Sequence, residues 1–295
     1  MFSYRHAFHA GNHADVLKHT TLIAVLRHLM QKDASIQCVD THAGAGLYRL
    51  DGDYAEKSGE ATEGVLKVLA TKQPFTSPIV LDYINMVTRF NSHGKARVYP
   101  GSPFIIHQLL RHDSRDRLKL FELHPTDHKA LVGNVAQLEA GRAIQIKSED
   151  GFESLKALLP PPLSSSGSRR ACVLLDPSYE LKSDYVRVLD SVEDSLKRFA
   201  TGTYLVWYPV IPRPEAHDLP RKLKVLCQPL KKPWLHATLA IGRASGGDDK
   251  GLSASGMFVI NPPHTLKAQW QAALPELEQV LGRGPGQGWQ VESGG

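Results

Sequence analysis

Ile36-Gln-Cys-Val-Asp-Thr-His-Ala-Gly-Ala-Gly46 is a short apolar run that breaks into a turn of small residues. The run reads as a buried strand. Glycine, having no Cβ, then lets the backbone bend tightly and lets another group approach it closely. The same grammar recurs along the chain. Apolar runs at 118–123, 143–146, 171–175 and 203–208 read as strands, with two more at 238–241 and 257–260. Helical patterns separate them at 127–138, from 151 through 159, at 184–199 and at 214–226. Strands alternating with helices predict an α/β fold with a mostly parallel sheet covered on both faces. In such sheets ligands sit at the carboxyl ends of the strands, so residues just after strands carry the functional signal.

Upstream of the first strand, Val16, Leu17, Ile23, Leu26 and Met30 recur near a helical period, so 15–30 reads as an amphipathic helix packed on a larger body. Residues 47–115 interrupt the alternation. They hold a polar loop at 51–64, helical patterns at 65–71 and 78–90, and Tyr99-Pro-Gly-Ser-Pro103, which opens a further helix. They read as a helical insertion in a domain built from 1–46 and 116–281. The Pro- and Ser-rich stretch 160–170 reads as a mobile linker, and the Gly-rich 282–295 as a disordered tail.

The 295 residues carry 35 Lys and Arg against 30 Asp and Glu, a formal net charge of +5, with 42% hydrophobic and 22% charged residues. That balance excludes intrinsic disorder and a collagen-like chain, and no stretch approaches the roughly 18 apolar residues of a membrane span. Met-Phe-Ser-Tyr-Arg-His at the N-terminus has no apolar signal core, so a cytoplasmic protein is expected. Cys38, Cys172 and Cys227 lack any Cys-x-x-Cys spacing and read as buried core thiols. A surplus of five positive charges suits a polyanionic partner, although many soluble enzymes carry as much without one.

Four strand tips carry chemistry. The turn 39–46 is not G-x-G-x-x-G, since Gly44-Ala-Gly46 runs on into Leu47-Tyr-Arg-Leu, and no phosphate-binding G-x-x-x-x-G-K-[ST] occurs. Glu122 closes the second strand, where a carboxylate suits two ribose hydroxyls; standing alone it would be a solvated or capping residue. Asp150-Gly151 follows the third strand and is equally readable as an acceptor for an adenine amino group or as a plain turn. Asp176-Pro-Ser-Tyr179 closes the most apolar strand, Ala-Cys-Val-Leu-Leu. There the Asp176 carboxylate and the Pro177 carbonyl can bind the two N–H bonds of an amino group on a heterocycle while Tyr179 stacks on the ring. The alternative is a turn with a surface tyrosine, weakened by the other three tips. The N-terminal block Tyr4-Arg-His-Ala-Phe-His-Ala-Gly-Asn-His-Ala-Asp-Val-Leu-Lys-His19 holds His6, His9, His13 and His19. No metal motif supports it, so no metal is expected. Tyr, Arg, His and Phe at a flexible terminus suit stacking on bases and touching phosphates, and Lys18 suits a phosphate or a carboxylate.

These stretches, together with Tyr99-Pro-Gly-Ser-Pro103, Glu122-Leu-His-Pro125, Asp150-Gly-Phe152, Arg198-Phe-Ala-Thr-Gly-Thr-Tyr204, Trp207-Tyr-Pro-Val210 and the 255–263 block, resemble the ribosomal RNA large subunit methyltransferase J family of 23S rRNA adenine-N6 methyltransferases. The resemblance runs from residue 3 to about 275. It implies a Rossmann-like class I methyltransferase sheet with a helical insertion subdomain, S-adenosylmethionine as cofactor and 23S rRNA as partner, with no membrane, metal or protein partner. By matching position His19, His42, Ser102, Glu122, Asp150 and Gly151 would line the cofactor, with Lys18 grouped beside them. Asp176 would be catalytic, and Tyr4, His6, Pro177 and Tyr179 would meet the RNA. The family's Asp-Pro-Pro-Tyr reads Asp176-Pro177-Ser178-Tyr179 here. The exchange relaxes the turn and adds an N–H and a hydroxyl, while the three residues with proposed contacts remain, so activity is expected. The rival readings are transfer to another exocyclic amine (guanine N2, cytosine N4 or a DNA adenine), a dinucleotide-dependent oxidoreductase, and a non-catalytic RNA-binding protein.

Overall fold

The run opened by Ile36 forms the strand β1 (Gln37–Asp40), and its side chains alternate: Cys38 enters one apolar core and Val39 the other. The structure is a computed structural model that describes residues 6–51, 59–91, 94–111, 113–243 and 251–295. β1 pairs in parallel with β4 (Arg117–Phe121) on one side and β6 (Ala171–Leu175) on the other, so Cys38 stands beside both Leu118 and Cys172. Beyond β4 lies β5 (Ile144–Lys147), and beyond β6 lies β7 (Thr203–Pro209), both parallel. β9 (Ala254–Ile260) runs antiparallel between β7 and β8 (Trp234–Ile241).

With β10 (Gln287–Gly294) at the outer edge, the full order is β10-β8-β9-β7-β6-β1-β4-β5. The chain walks outward from β1 in two directions, which opens a crevice at the carboxyl ends of β1 and β6. β9 and β10 run against the other six strands, and the result is the Rossmann-like sheet expected from the sequence.

Two layers cover the sheet. α6 (Gly151–Leu158), α7 (Ser183–Arg198) and α8 (Pro214–Cys227) bury one face. On the other lie α1 (His13–Leu29), α4 (Ser102–Leu109), α5 (Pro125–Ala136) and α9 (Leu266–Leu281). The strand ends and helix limits fall within a few residues of the sequence expectation from β4 to α8. Cys38, Cys172 and Cys227 are buried free thiols, as expected. Among the described residues no helix is long and apolar enough to cross a membrane.

Three expectations need correction. α1 packs on a larger body as expected but not through one face of an amphipathic helix: every residue from His13 to Leu26 is buried, because α3 (Pro78–Arg89), α4, α9 and the sheet enclose it. Nor are the histidines of its first half on a flexible terminus, since His13 and His19 lie inside this helix. The tail is not disordered either. Gln287–Gly294 forms β10, antiparallel to β8 along its whole length, with Trp289 and Val291 packed on the core. Its glycines make the turn that starts the strand: Gly284 and Gly286 take positive φ, 130° and 85°.

Within 47–115, β2 (Leu47–Arg49) and β3 (Val98–Pro100) form a small antiparallel ribbon beside α2 (Val65–Ala70) and α3. The last helix of that stretch, α4, already packs on β1 and β4.

Candidate active site

A cavity of about 450 Å³ opens at the carboxyl tips of β1, β4, β5 and β6. Hydrogen bonds between neighbouring tips shape it. Asp40, buried at the end of β1, accepts from Ser102 Oγ at 2.6 Å and from the His42 N–H at 3.2 Å. Thr41 Oγ1 donates to Leu174 O at 2.9 Å, tying β1 to β6. Glu122, at the tip of β4, accepts the Gly44 N–H on one oxygen at 2.8 Å and the His124 N–H on the other at 2.6 Å. Gly44 takes φ +59°, which a β-carbon would oppose. At β5, Asp150 caps α6 by accepting the N–H groups of Phe152 and Glu153. Gly151 is wedged against Thr41, and a β-carbon there would lie 2.1 Å from the Thr41 carbonyl oxygen. Four strand tips thus converge on one backbone cradle.

The side chains of α1 reach the same space. Lys18 Nζ lies 2.8 Å from Asp15 Oδ1 and 2.5 Å from Asp176 Oδ2, all three nearly or fully buried. Burial pushes the Lys18 ammonium toward release of its proton, but the two carboxylates outweigh it and raise its pKa. Burial raises Asp15 as well, yet Lys18 and His6 hold it well below the usual carboxylate range; His6 Nε2 is 3.1 Å from Asp15 Oδ2. Asp176 stays above its ordinary value because burial prevails over Lys18. His19 Nδ1 pairs with Tyr99 Oη at 2.7 Å, while its Nε2 is buried and meets no hydrogen-bond partner among the described residues. Desolvation lowers His19 and His42 to about 3, so both are neutral at pH 7. In the cavity wall this leaves one neutral ring nitrogen of His19 available to a polar ligand.

Most residues singled out in the sequence meet here: His6, Lys18, His19, His42, Ser102 and Glu122 line the cavity, as do Asp150, Gly151, Asp176 and Pro177. Tyr4 lies outside the described residues. Tyr179, expected to stack on a heterocycle, instead turns into the core beneath α7. It is 2% exposed, its hydroxyl donates to Trp207 O at 2.6 Å, and its ring lies 4.6 Å from that of Tyr185. A phenol with a satisfied hydroxyl and apolar neighbours is more stable there than against water. Lys18, grouped with the cofactor residues in the sequence, is engaged by Asp15 and Asp176. Sequence reasoning missed Asp40, buried behind Ser102, and Thr41, Tyr48, Asp127 and Arg187, which line the cavity. The strand-tip rule that found Glu122 and Asp176 applies equally to Asp40. No local pattern marks Arg187, which arrives from α7.

A family model described as ribosomal RNA large subunit methyltransferase D, RlmJ, matches residues 33–293. The ribosomal RNA large subunit methyltransferase J of Escherichia coli K12 is 42% identical over 284 residues, 95% of this chain and 94% of that protein. Its namesake in Haemophilus influenzae is 41% identical over 295 residues, covering 99% of this chain and 98% of the relative. Among solved structures, a Legionella pneumophila protein superposes with a TM-score of 0.83 at 32% identity, over 97% of this chain and 98% of the other.

Proposed function

The chain belongs to the ribosomal RNA large subunit methyltransferase J family, and from that premise we propose that it methylates N6 of an adenine in 23S rRNA, with S-adenosylmethionine as methyl donor. The observation that carries the reading is the Asp176-Pro177 corner in the wall of a cradle formed by four strand tips. The residues fit the cofactor. Glu122 keeps a free lone-pair site on each oxygen for two ribose hydroxyls. Asp150 stands where a purine amino group would donate, and Gly151, lacking a β-carbon, lets the start of α6 pack directly on Thr41 in the cavity wall. His19 Nε2 and Ser102 are placed for the amino-acid end. When bound, the sulfonium supplies an electrophilic methyl group and a neutral leaving group.

The chain's own part is to prepare the nucleophile. The lone pair of an adenine amino group is delocalised into its ring, so it attacks poorly. Lys18 occupies one lone-pair site of Asp176 Oδ2. The free Oδ1 can accept one amino N–H and the Pro177 carbonyl the other, favouring a pyramidal nitrogen as positive charge develops on it. Holding the two reactants in line supplies much of the remaining acceleration. The surplus proton leaves after transfer, so Asp176 need not be a strong base beforehand. For Tyr179 to stack on the base, its hydroxyl would first release Trp207 O. His6 lies at the mouth, ready to touch the RNA.

The test is transfer of isotopically labelled methyl from S-adenosylmethionine to protein-free 23S rRNA. Wild-type protein should yield N6-methyladenosine, and Asp176→Asn should lower kcat by about a hundredfold or more. Label found on guanine, on cytosine or on no nucleoside would refute the assignment.

A further inference from the structure

Asp150 is more tightly held than a simple acceptor for a purine needs to be. Its Oδ1 accepts the N–H groups of Phe152 at 3.0 Å and Glu153 at 3.3 Å. Its Oδ2 accepts from Arg187 Nη2, one helix away on α7, at 2.6 Å. The Arg187 guanidinium in turn lies over the Phe152 ring, 4.6 Å from its centroid, and the His42 ring meets the same phenyl edge-on at 4.7 Å. A carboxylate has about four lone-pair sites. Three are occupied by these bonds, which leaves one, on Oδ2, in a residue that lines the cavity.

We propose that Arg187 is a positioning residue that acts through Asp150, fixing the carboxylate so that its one remaining lone pair receives the amino group of the cofactor's purine. The inference rests on the cofactor reading above. A guanidinium is suited to this role by its shape. Stacked on Phe152, Arg187 cannot swing freely, and its one Nη2 donor fixes where Oδ2 sits. Arg187 also decides the charge on Asp150. Burial pushes that carboxyl up, but the hydrogen bond and charge of Arg187, with the two backbone donors, bring it below the ordinary carboxylate value. The other charged or titratable groups nearby are Glu149 beside it in the chain, Glu153 on α6 and neutral His42 after β1, while Asp184 on α7 acts on Arg187. Without Arg187 the burial would stand, and the carboxylate would take up a proton at a higher pH.

The experiment is calorimetric binding of S-adenosylhomocysteine to wild type, Arg187→Met, Arg187→Lys, Asp150→Asn and the double variant Asp150→Asn with Arg187→Met, at pH 7.5 and 5.5. Arg187→Met should weaken binding by about tenfold at pH 7.5 and further at pH 5.5, whereas Arg187→Lys, which keeps the charge and loses the stacked plane, should weaken it severalfold and equally at both pH values. In the Asp150→Asn background, Arg187→Met should cost nothing more, which a merely structural role for the arginine would not produce. Arg187→Lys keeps the charge and disturbs the fold least, so it carries the test if the Met variant does not fold. Unchanged affinity in Arg187→Met, or a loss that is independent of pH and additive with Asp150→Asn, would overturn the proposal. A wild-type protein that binds no S-adenosylhomocysteine would overturn the cofactor reading itself, and this inference with it.

Discussion

Lys18 joins two carboxylates that would otherwise repel across the floor of the cavity. Breaking a buried charge cluster by removing one partner leaves the other charges uncompensated, at about 3–5 kcal/mol. Lys18→Met should therefore lower stability by that amount in urea unfolding. It should also move the acid limb of the pH–rate profile. Asp176 accepts an amino N–H and stabilises the developing positive charge best when ionised, burial already raises its pKa, and Lys18 is the main force opposing that rise. Without the ammonium the pKa climbs further, so activity should fall away at a pH higher than in wild type, by about one unit or more. An acid limb unmoved in a folded Lys18→Met protein would show that Asp176 is not the group being titrated.

At the scale of elements, α1 and β10 show what sequence pattern conceals. Periodicity located the helix but not its burial, because Asp15, Lys18 and His19 look like a solvated face until Tyr99 on β3 and Asp176 after β6 are known as partners. Two guanidiniums from distant segments then satisfy carbonyls at and just beyond its far end: Arg111 donates to Met30 O and Arg170 to Ala34 O. β10 was hidden by composition. Its glycines suggest disorder, yet Trp289 and Val291 alternate onto the core and the backbone pairs with β8 from Gln287 to Gly294. Ending the chain at Gly282 would expose the β8 edge and those two contacts. The truncated protein should unfold several degrees lower in a thermal scan and aggregate more readily through the open edge. An unchanged midpoint would mean that the last strand adds nothing to the fold.

For the whole molecule, the buried titratable groups set the pH range of stability. His19 and His42, lowered to about 3, and His13, lowered to about 4, titrate near 6.5 when unfolded. Between those limits the unfolded chain binds more protons, so stability rises with pH up to about 6.5 and is lost below it. Asp40, raised to about 6, works the other way between about 4 and 6. So do the carboxyls of Glu122, Asp176 and Asp184, which burial raises, and His9, which Glu60 raises against its burial. His28 and His236, lowered by burial, add to the three histidines. Stability measured in urea should fall by about 2 kcal/mol or more from pH 6.5 to 5. A flat profile would contradict the burial of these histidines. Strand–helix alternation made the sheet from β1 to β9 legible in the sequence, since fully buried parallel strands are short apolar runs. The strand tips made Glu122, Asp150 and Asp176 legible too. The inward turn of Tyr179, the pairing of Lys18 with Asp176 and the hold of Arg187 on Asp150 were not, because each depends on side chains 28 to 158 residues apart meeting in space. The account stands most directly on nucleoside mass spectrometry of 23S rRNA from cells lacking this protein. It predicts the loss of one N6-methyladenosine, restored by the wild-type chain and not by Asp176→Asn. An unchanged N6-methyladenosine content, or full restoration by Asp176→Asn, would contradict it.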